Sequence, residues 1–153
     1  MLARALICLA APLVFAPTIT AQSHDEQAVL DVIAVMFDGL AQRDTAMMRM
    51  TLDPGARVVM TFSQEGQPGY RAVPIDDFLA SIGNQTGPSI EEQYRDPEVR
   101  IHDNLATVWV VYTFYVDGEI SHCGEDAFQL ARDPDGWKII AIADTQRRVD
   151  CEP

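Results

Sequence analysis

The chain has 153 residues, 48% of them hydrophobic, and carries a formal net charge of −12 at pH 7. So large an excess of carboxylates is repelled by nucleic-acid backbones and by anionic lipid surfaces, and a single lysine and one Arg-Arg pair do little to offset it. These properties argue against nucleic acid and peripheral membranes as partners, and they suit one globular domain whose acidity keeps it soluble.

The N-terminus has the layout of a secretory signal sequence. Arg4 precedes an apolar run at residues 5–16, and Ala21 stands before a polar stretch. The run is short, and interrupted by Pro12, for a membrane span, which needs about 20 apolar residues. We predict a signal peptide at residues 1–21 and a single domain at residues 22–153. The protein would then be periplasmic or secreted, with no membrane attachment after cleavage; an uncleaved anchor is the alternative.

Helical periodicity predicts three helices. Apolar residues recur every three or four positions over residues 29–40 and form a wide apolar stripe. Asp44 is a natural N-cap for a short second helix through Met50, and a third helix is expected at residues 75–82. On the second helix, Met47 is either core filler or part of a cavity wall, because methionine packs adaptably in irregular gaps.

Strands are expected between and after these helices. Residues 57–62 and 70–73 have the composition of strands, with a polar loop at residues 63–69 between them. Residues 90–102 form a longer strand, in which Pro97 predicts a bulge or a sheet edge.

The last third of the chain predicts three antiparallel strands joined by two turns. Asp117-Gly118 lies between the β-rich runs 108–116 and 119–130, and Asp-Gly is a strong signal for a type I′ hairpin turn. The second turn is predicted at Pro134-Asp135-Gly136. In standard hairpin geometry the numbers of facing residues sum to about 235 in the first hairpin and about 270 in the second.

This register places a set of side chains on one face, because side chains alternate across a sheet. His122 lies opposite Thr113, and Asp126 lies opposite both Trp109 and Asp144. A bulge in these strands would exchange the faces beyond it. The predicted inner face consists of Trp109, Val111, Thr113, His122, Asp126, Phe128, Leu130, Ile140, Ile142 and Asp144.

The opposite face mixes aromatic, polar and charged side chains, which suits a subunit contact better than a closed core. With Tyr94 from the preceding strand, its aromatic members predict a homodimer through the outer face. The predicted outer face consists of Tyr112, Phe114, Cys123, Glu125, Gln129, Ile139, Thr145 and Arg147.

The polar end of the inner face is the candidate site. Asp126 and Asp144 are adjacent carboxylates that repel each other, so the pKa of one should rise and the pair should share a proton. With His122 on the same face, they have the composition of a general acid–base set. In the alternative interpretation the carboxylates pair with backbone groups or with an arginine such as Arg71, and His122 is solvated.

A pocket for a small, largely apolar ligand is expected beside this polar end. Phe128 faces Ile142 in the predicted register and would form part of its wall. The predicted lining consists of Trp109, Val111, Thr113, Phe128, Ile142 and Met47.

The sequence carries no signature of a metal site or a cofactor site. The histidines at positions 24, 102 and 122 lack the spacing of zinc ligands. The sequence also lacks a phosphate-binding glycine-rich loop and a Gly-x-Ser-x-Gly nucleophile motif. We therefore expect neither a metal nor a cofactor.

Two cysteines, Cys123 and Cys151, remain after signal cleavage. An exported chain enters an oxidising compartment, where exposed thiols rarely persist. Residues near 147 face Cys123 in the predicted register, and the returning tail can bring Cys151 back to it. We predict a disulfide between them, with two free thiols as the alternative.

Four segments of the meander are distinctive: Ala106–Trp109, Tyr112–Gly118, His122–Leu130 and Gly136–Ile140. Together with the order of the helices, they resemble the nuclear transport factor 2-like superfamily, in particular its SnoaL-like and lumazine-binding branches. The resemblance implies an α+β, cone-shaped fold with about three helices packed on a curved, mostly antiparallel sheet. Members include isomerases, dehydratases, epoxide hydrolases, cyclases and domains that only bind, so the fold does not select a function.

No residue pattern in the chain amounts to a specific catalytic signature. The sequence therefore favours an exported small-molecule-binding domain with an apolar pocket that carries a polar patch. The alternative is an acid–base enzyme, namely a dehydratase, isomerase or hydrolase, that uses His122, Asp126 and Asp144.

Overall fold

A computed structural model describes residues 19–153 of the chain, with side chains described from His24 onward. The predicted signal peptide therefore lies outside the described residues, apart from its last three, which begin the first helix. The elements in chain order are α1 (Ile19–Gln42), α2 (Thr45–Thr51), β1 (Leu52–Gln64), β2 (Gln67–Pro74), α3 (Ile75–Gly83), β3 (Ile90–His102), β4 (Leu105–Val116), β5 (Glu119–Asp133) and β6 (Gly136–Asp144).

The six strands form one curved sheet in the order β2-β1-β6-β5-β4-β3. Neighbouring strands are antiparallel except for β1 and β6, which run parallel. The three helices pack on one side of this sheet, so the predicted α+β class, with three helices on a mostly antiparallel sheet, is confirmed.

The helices form where the sequence predicts them, and their apolar stripes build the core. The stripe of α1 buries Val29, Ile33, Met36, Phe37 and Leu40 against the sheet. The N-cap of α2 is Asp44, as predicted. Its carboxylate accepts hydrogen bonds of 3.0 Å from the backbone N–H groups of Ala46 and Met47.

The early strands are longer than the sequence predicts. β1 begins at Leu52 rather than Arg57, since a register irregularity accommodates Asp53-Pro54-Gly55. The predicted polar loop is reduced to a tight turn at Glu65-Gly66, which both have positive φ, and the flanking residues pair in the ladder. β3 matches its predicted bounds, and its register shifts around Pro97, which confirms the predicted bulge.

The register of the last hairpin is confirmed from Asp126–Asp144 to Gln129–Ala141, and nearer the turn a bulge at Ile140 shifts it by one residue, so that Leu130 pairs with Ile139. The register of the preceding hairpin is wrong by one residue. Asp126 pairs with Asp144, as expected. Between β4 and β5, however, a bulge at Ser121 pairs His122 with Phe114 instead of Thr113. Because an extra residue in one strand moves every side chain beyond it to the other face, the predicted faces of β4 are exchanged.

The exchange moves several predicted pocket residues to the outer face of the sheet. Asp126 lies opposite Val110, not Trp109, and the Trp109 side chain is 49% exposed. Val111 shares this outer face, and the Thr113 hydroxyl donates a 2.7 Å hydrogen bond to the Glu152 carbonyl of the C-terminal tail. These three side chains therefore lie away from the core.

The side chains that suggested a homodimer lie inside the molecule. Tyr112 and Ile139 are fully buried, the latter because a second bulge displaces Ile140 from the ladder. The Tyr94 ring stacks on the ring of Phe37, a residue of α1, with centroids 4.9 Å apart, and Phe114 packs against the core. The homodimer remains a prediction, but the aromatic outer surface proposed for it is absent from the described residues.

The predicted disulfide joins Cys123 to Cys151, with Cα atoms 5.6 Å apart. Arg147 pairs with Cys123 through two backbone hydrogen bonds of 2.9 and 3.0 Å, as the register predicts. The bridge fixes the C-terminal tail on the outer face of β4 and β5.

Gly124 lies in β5 between the two candidate site residues His122 and Asp126. A Cβ atom at this position would lie 1.9 Å from the carbonyl oxygen of Thr145. The same carbonyl accepts a 2.8 Å hydrogen bond from the Tyr112 hydroxyl. Glycine is therefore required for the close approach of the two strands beside the site.

We expect Gly124→Ala to lower the free energy of unfolding by about 2 kcal/mol, because the added methyl group must displace backbone. Urea-induced unfolding of the purified variant measures this loss. Gly87→Ala is the matched control, since an added Cβ at Gly87 meets no heavy atom within 4 Å. Equal stability of the two variants would show that the strands separate at no cost.

Candidate functional site

A cavity of about 240 Å³ lies between the inner face of the sheet and the helices α1 and α3. Most of its wall is apolar or aromatic, and one part of the sheet surface carries ionisable groups. The apolar and aromatic lining consists of Met36, Phe37, Leu40, Val58, Met60, Phe78, Ile82, Tyr112, Phe114, Phe128 and Ile142.

Four ionisable side chains from three strands also line the cavity: Glu92 from β3, His122 and Asp126 from β5, and Asp144 from β6. The strand register places these side chains on the inner face of the sheet, because Glu92 and His122 both pair with Phe114 and Asp126 pairs with Asp144. Asp126 is 4% exposed, so its carboxyl group has little contact with water.

Glu92 and Asp126 share a hydrogen bond between their carboxyl groups. Such a bond requires a proton on one of the two groups. Burial, the charge of Asp126 and this hydrogen bond raise the pKa of Glu92 well above its usual range. Burial raises the pKa of Asp126 to about 7, although the hydrogen bond from Glu92 acts in the opposite direction. The pair therefore holds a proton near neutral pH.

Asp144 lies beside Asp126 on the neighbouring strand. Burial raises the pKa of its carboxyl group, and backbone N–H donors at Thr61 and at Asp144 itself counteract this rise. Its Oδ1 atom is buried and has no hydrogen-bond partner among the described residues. A buried acceptor without a partner is uncommon in folded proteins, and the side chain that carries it belongs to a residue of the cavity wall.

His122 occupies another part of the wall. Its ring stacks on Phe114 with centroids 4.6 Å apart, and Nδ1 lies 3.2 Å from the Ser121 hydroxyl oxygen. Burial and the charge of Arg148 lower the pKa of His122, so the imidazole is neutral at pH 7. Within the described residues it makes no hydrogen bond to Glu92, Asp126 or Asp144.

A sequence model of the family described as putative lumazine-binding matches residues 24–143, which is most of the chain. The chain belongs to this lumazine-binding-like family. No curated protein matches the chain.

Solved structures show that the lumazine-binding-like chain shares the nuclear transport factor 2-like fold. A nuclear transport factor 2-like protein of unknown function from Shewanella baltica is 16% identical, with a TM-score of 0.62 over 86% of this chain and 98% of that chain. A protein from Streptomyces avermitilis described as a putative dehydratase of the same superfamily is 16% identical, with a TM-score of 0.60 over 83% and 98%.

A third similar structure is the beta subunit of a putative aromatic-ring-hydroxylating dioxygenase from Novosphingobium aromaticivorans. It is 10% identical, with a TM-score of 0.67 over 87% of this chain and 95% of that chain. At sequence identities this low, the structural similarity shows a shared fold but not a shared function.

Some of the side chains predicted to form the site of this lumazine-binding-like chain lie together in the wall of the cavity, and others lie elsewhere. The cavity wall includes His122, Asp126, Asp144, Phe128 and Ile142. Trp109, Val111 and Thr113 lie on the opposite face because of the bulge, and Met47 is half-buried on α2 outside the lining. Arg71, suggested as a partner for the carboxylates, instead contacts the sulfur of Met60 at 3.4 Å.

Sequence reasoning missed Glu92, Tyr112 and Phe114, which all line the cavity. Glu92 carries a detectable signal, since it falls between Ile90 and Tyr94 in the alternation of β3, where both neighbours point inward. A carboxylate in an inward-facing position of a strand is unusual and marks a candidate functional group. The two aromatic residues depend on the bulge, which leaves no comparable signal.

Proposed function

We propose that the mature chain is an exported protein that binds a small, largely apolar molecule in this cavity. The observation that carries the proposal is the unpaired, buried Oδ1 of Asp144 in a mostly apolar wall. A ligand with an apolar body and a hydrogen-bond donor would cover the wall and satisfy this acceptor. The name of the matching family, putative lumazine-binding, agrees with a ligand-binding role.

The arrangement of the polar groups favours binding over catalysis. General acid–base catalysis needs the proton donor and acceptor within hydrogen-bond reach of the same substrate atoms. Here Glu92 and Asp126 are hydrogen-bonded to each other, and His122 is oriented by Ser121 and Phe114 in the described structure. The groups are thus placed to contact different parts of one ligand.

Export is supported by the signal-like N-terminus and by the disulfide, because structural disulfides persist in oxidising compartments. None of the helices within residues 19–153 is both long and apolar enough to span a bilayer.

Native mass spectrometry of the protein purified from its own host should detect a bound small molecule. His122→Ala and Asp144→Asn should each reduce the bound fraction at least about tenfold, since each removes a polar contact in the cavity, with little loss of stability. Trp109→Ala is the matched control, because Trp109 lies on the outer face and its loss should leave binding unchanged.

The proposal is contradicted if the wild-type protein carries no adduct and no component of a host metabolite extract raises its Tm. Loss of binding in Trp109→Ala with full binding in Asp144→Asn would instead move the site to the outer face of the sheet.

A second candidate function is an acid–base enzyme, a dehydratase, isomerase or hydrolase, that uses His122, Asp126 and Asp144. The observation that favours it is the pKa of Asp126, which burial raises to about 7, because a general acid or base works best near the operating pH. Incubation of the co-purified molecule with fresh protein distinguishes the two functions. A change in its mass or retention time, absent in Asp126→Asn, indicates an enzyme, whereas recovery of the unchanged molecule indicates a binding protein.

A further inference from the structure

We propose that the ligand carries a cationic amine on an apolar, ring-containing body, and that the amine is bound by Asp144 together with Glu92 and Asp126. This inference rests on the proposed binding function and adds the chemical class of the ligand.

The charge of the cavity wall favours a cationic ligand. Three of its residues are carboxylic acids, and no lysine or arginine is among the lining residues of the described structure. Arg147 and Arg148 act on Tyr112 and His122 and are not part of the wall. A cationic amine would supply the missing counter-charge, and charge-assisted hydrogen bonds are about twice as strong as neutral ones.

The unpaired oxygen of Asp144 also favours a cationic amine. Thr61 and Asp144 supply backbone donors to the carboxylate, yet Oδ1 remains buried without one. A protonated amine has several N–H donors and no acceptor, so it can satisfy this oxygen and still reach the neighbouring carboxyl pair. A carboxylate or phosphate ligand would place two acceptors side by side and is disfavoured.

The aromatic wall around the carboxyl groups suits an amine on a ring-containing body. Phe128 packs edge-on against Phe37 with centroids 5.8 Å apart, and Phe114 stacks on His122. Tyr112 adds a ring, and its hydroxyl is already committed to the carbonyl of Thr145. Aromatic faces attract cations and accept flat apolar rings, so the same wall suits both parts of the proposed ligand.

Cation binding should be linked to proton release. The ionisable groups that face the carboxyl cluster are Tyr112 on β4 and His122 on β5, while α1, α3 and β1 contribute apolar side chains to the wall. Because burial raises the pKa values of Glu92 and Asp126 and this pair holds a proton near neutral pH, a cation bound beside the pair favours release of that proton. Affinity for a cation should therefore increase with pH.

The test uses three probes of similar shape: 2-naphthylmethylamine, 2-naphthylmethanol and 2-naphthoic acid. Isothermal titration calorimetry of the mature, disulfide-bonded protein at about pH 8 should show the amine binding at least about tenfold tighter than the alcohol, with the acid weakest. The preference should shrink at about pH 5, where more of the carboxyl groups carry a proton. The binding heat of the amine should depend on the ionisation enthalpy of the buffer, which reports proton release.

Asp144→Asn and Glu92→Gln should each weaken the affinity for the amine about tenfold and change the affinity for the alcohol by less than about twofold. Glu91→Gln is the matched control, because Glu91 neighbours Glu92 on β3 but is exposed and bonds to Gln93 outside the cavity. It should retain the full preference for the amine.

Equal or tighter binding of the alcohol or the acid by the wild-type protein at about pH 8 would overturn the cationic ligand and leave the binding function standing. If none of the three probes binds at millimolar concentration, the inference is overturned, and the binding function is then decided separately by the adduct and metabolite-extract experiments.

Discussion

Asp126→Asn should raise the free energy of unfolding by roughly 3 kcal/mol at about pH 8, because it removes a buried negative charge. Asp126 is 4% exposed, and burial raises its pKa from 3.8 to about 7. Each pKa unit corresponds to about 1.4 kcal/mol of differential stability, and part of the gain is offset because the buried asparagine amide also needs partners.

The gain should depend on pH in a defined direction. A carboxyl group whose pKa is higher in the folded protein binds its proton more tightly there than in the unfolded chain. The stabilisation that comes from the protonated Asp126 carboxyl group is therefore complete below its pKa in the unfolded chain, near 4, and is lost as the pH rises through its pKa in the folded protein, about 7. Asparagine does not titrate, so the stability of the variant should vary less with pH, and the difference from wild type should vanish near about pH 4.

Urea-induced unfolding between about pH 4 and 8 measures this difference. Glu91→Gln is the control for net charge, because it removes one carboxylate from an exposed position of β3, and it should change stability by less than about 0.5 kcal/mol. A less stable Asp126→Asn at about pH 8 would show that the Glu92–Asp126 hydrogen bond outweighs the burial of the charge.

A stabilising substitution at the site would itself support a functional role for the carboxyl cluster. Buried charges without counter-charges lower stability, and proteins keep them where a ligand or a reaction needs them. A bound amine would neutralise the buried negative charge, and Asp126→Asn removes that charge, so both relieve the same destabilisation. The ligand should therefore stabilise the wild-type protein more than Asp126→Asn.

Local turn chemistry allowed much of the meander to be predicted from the sequence. Asp117 and Gly118 both have positive φ, as a type I′ turn requires, and the residues beside the turn pair as expected. The bulge lies only three residues further along, at Ser121. It is not marked by glycine or proline, so the sequence offered no reason to shift the register before His122.

The rest of the candidate site depends on contacts between residues that are distant in sequence. The hydrogen bond from Glu92 to Asp126 joins β3 to β5 across β4, and it depends on the curvature of the sheet. The parallel pairing of β1 with β6 brings Met60 beside Asp144, although the two are 84 positions apart in the sequence. Neither hairpin geometry nor periodicity specifies such contacts, so the sequence predicted two of the three clustered carboxyl groups and missed Glu92.

Cys151→Ser should lower the free energy of unfolding of the mature protein by about 3 to 4 kcal/mol. The disulfide closes a loop with a sequence separation of 28, and the chain-entropy relation gives a stabilisation of this size for such a loop. The tail also holds Glu152 against β3 and β4. The Glu152 carbonyl accepts a hydrogen bond from the Thr113 hydroxyl, and the Glu152 carboxylate lies 3.8 Å from the Arg95 guanidinium. Urea-induced unfolding of the oxidised wild type and of the variant measures the loss.

Two comparisons separate the bridge from the other contacts of the tail. A reductant should destabilise the wild type to the level of Cys151→Ser and leave the variant unchanged, because the variant has no bridge to break. Val149→Ser should stay within about 0.5 kcal/mol of wild type, since Val149 is 69% exposed and the bridge is intact. Two thiols that react with an alkylating agent in the non-reduced mature protein would refute the bridge. If the bridge is present, it anchors the C-terminal tail to Cys123, which is adjacent in sequence to His122 of the cavity wall.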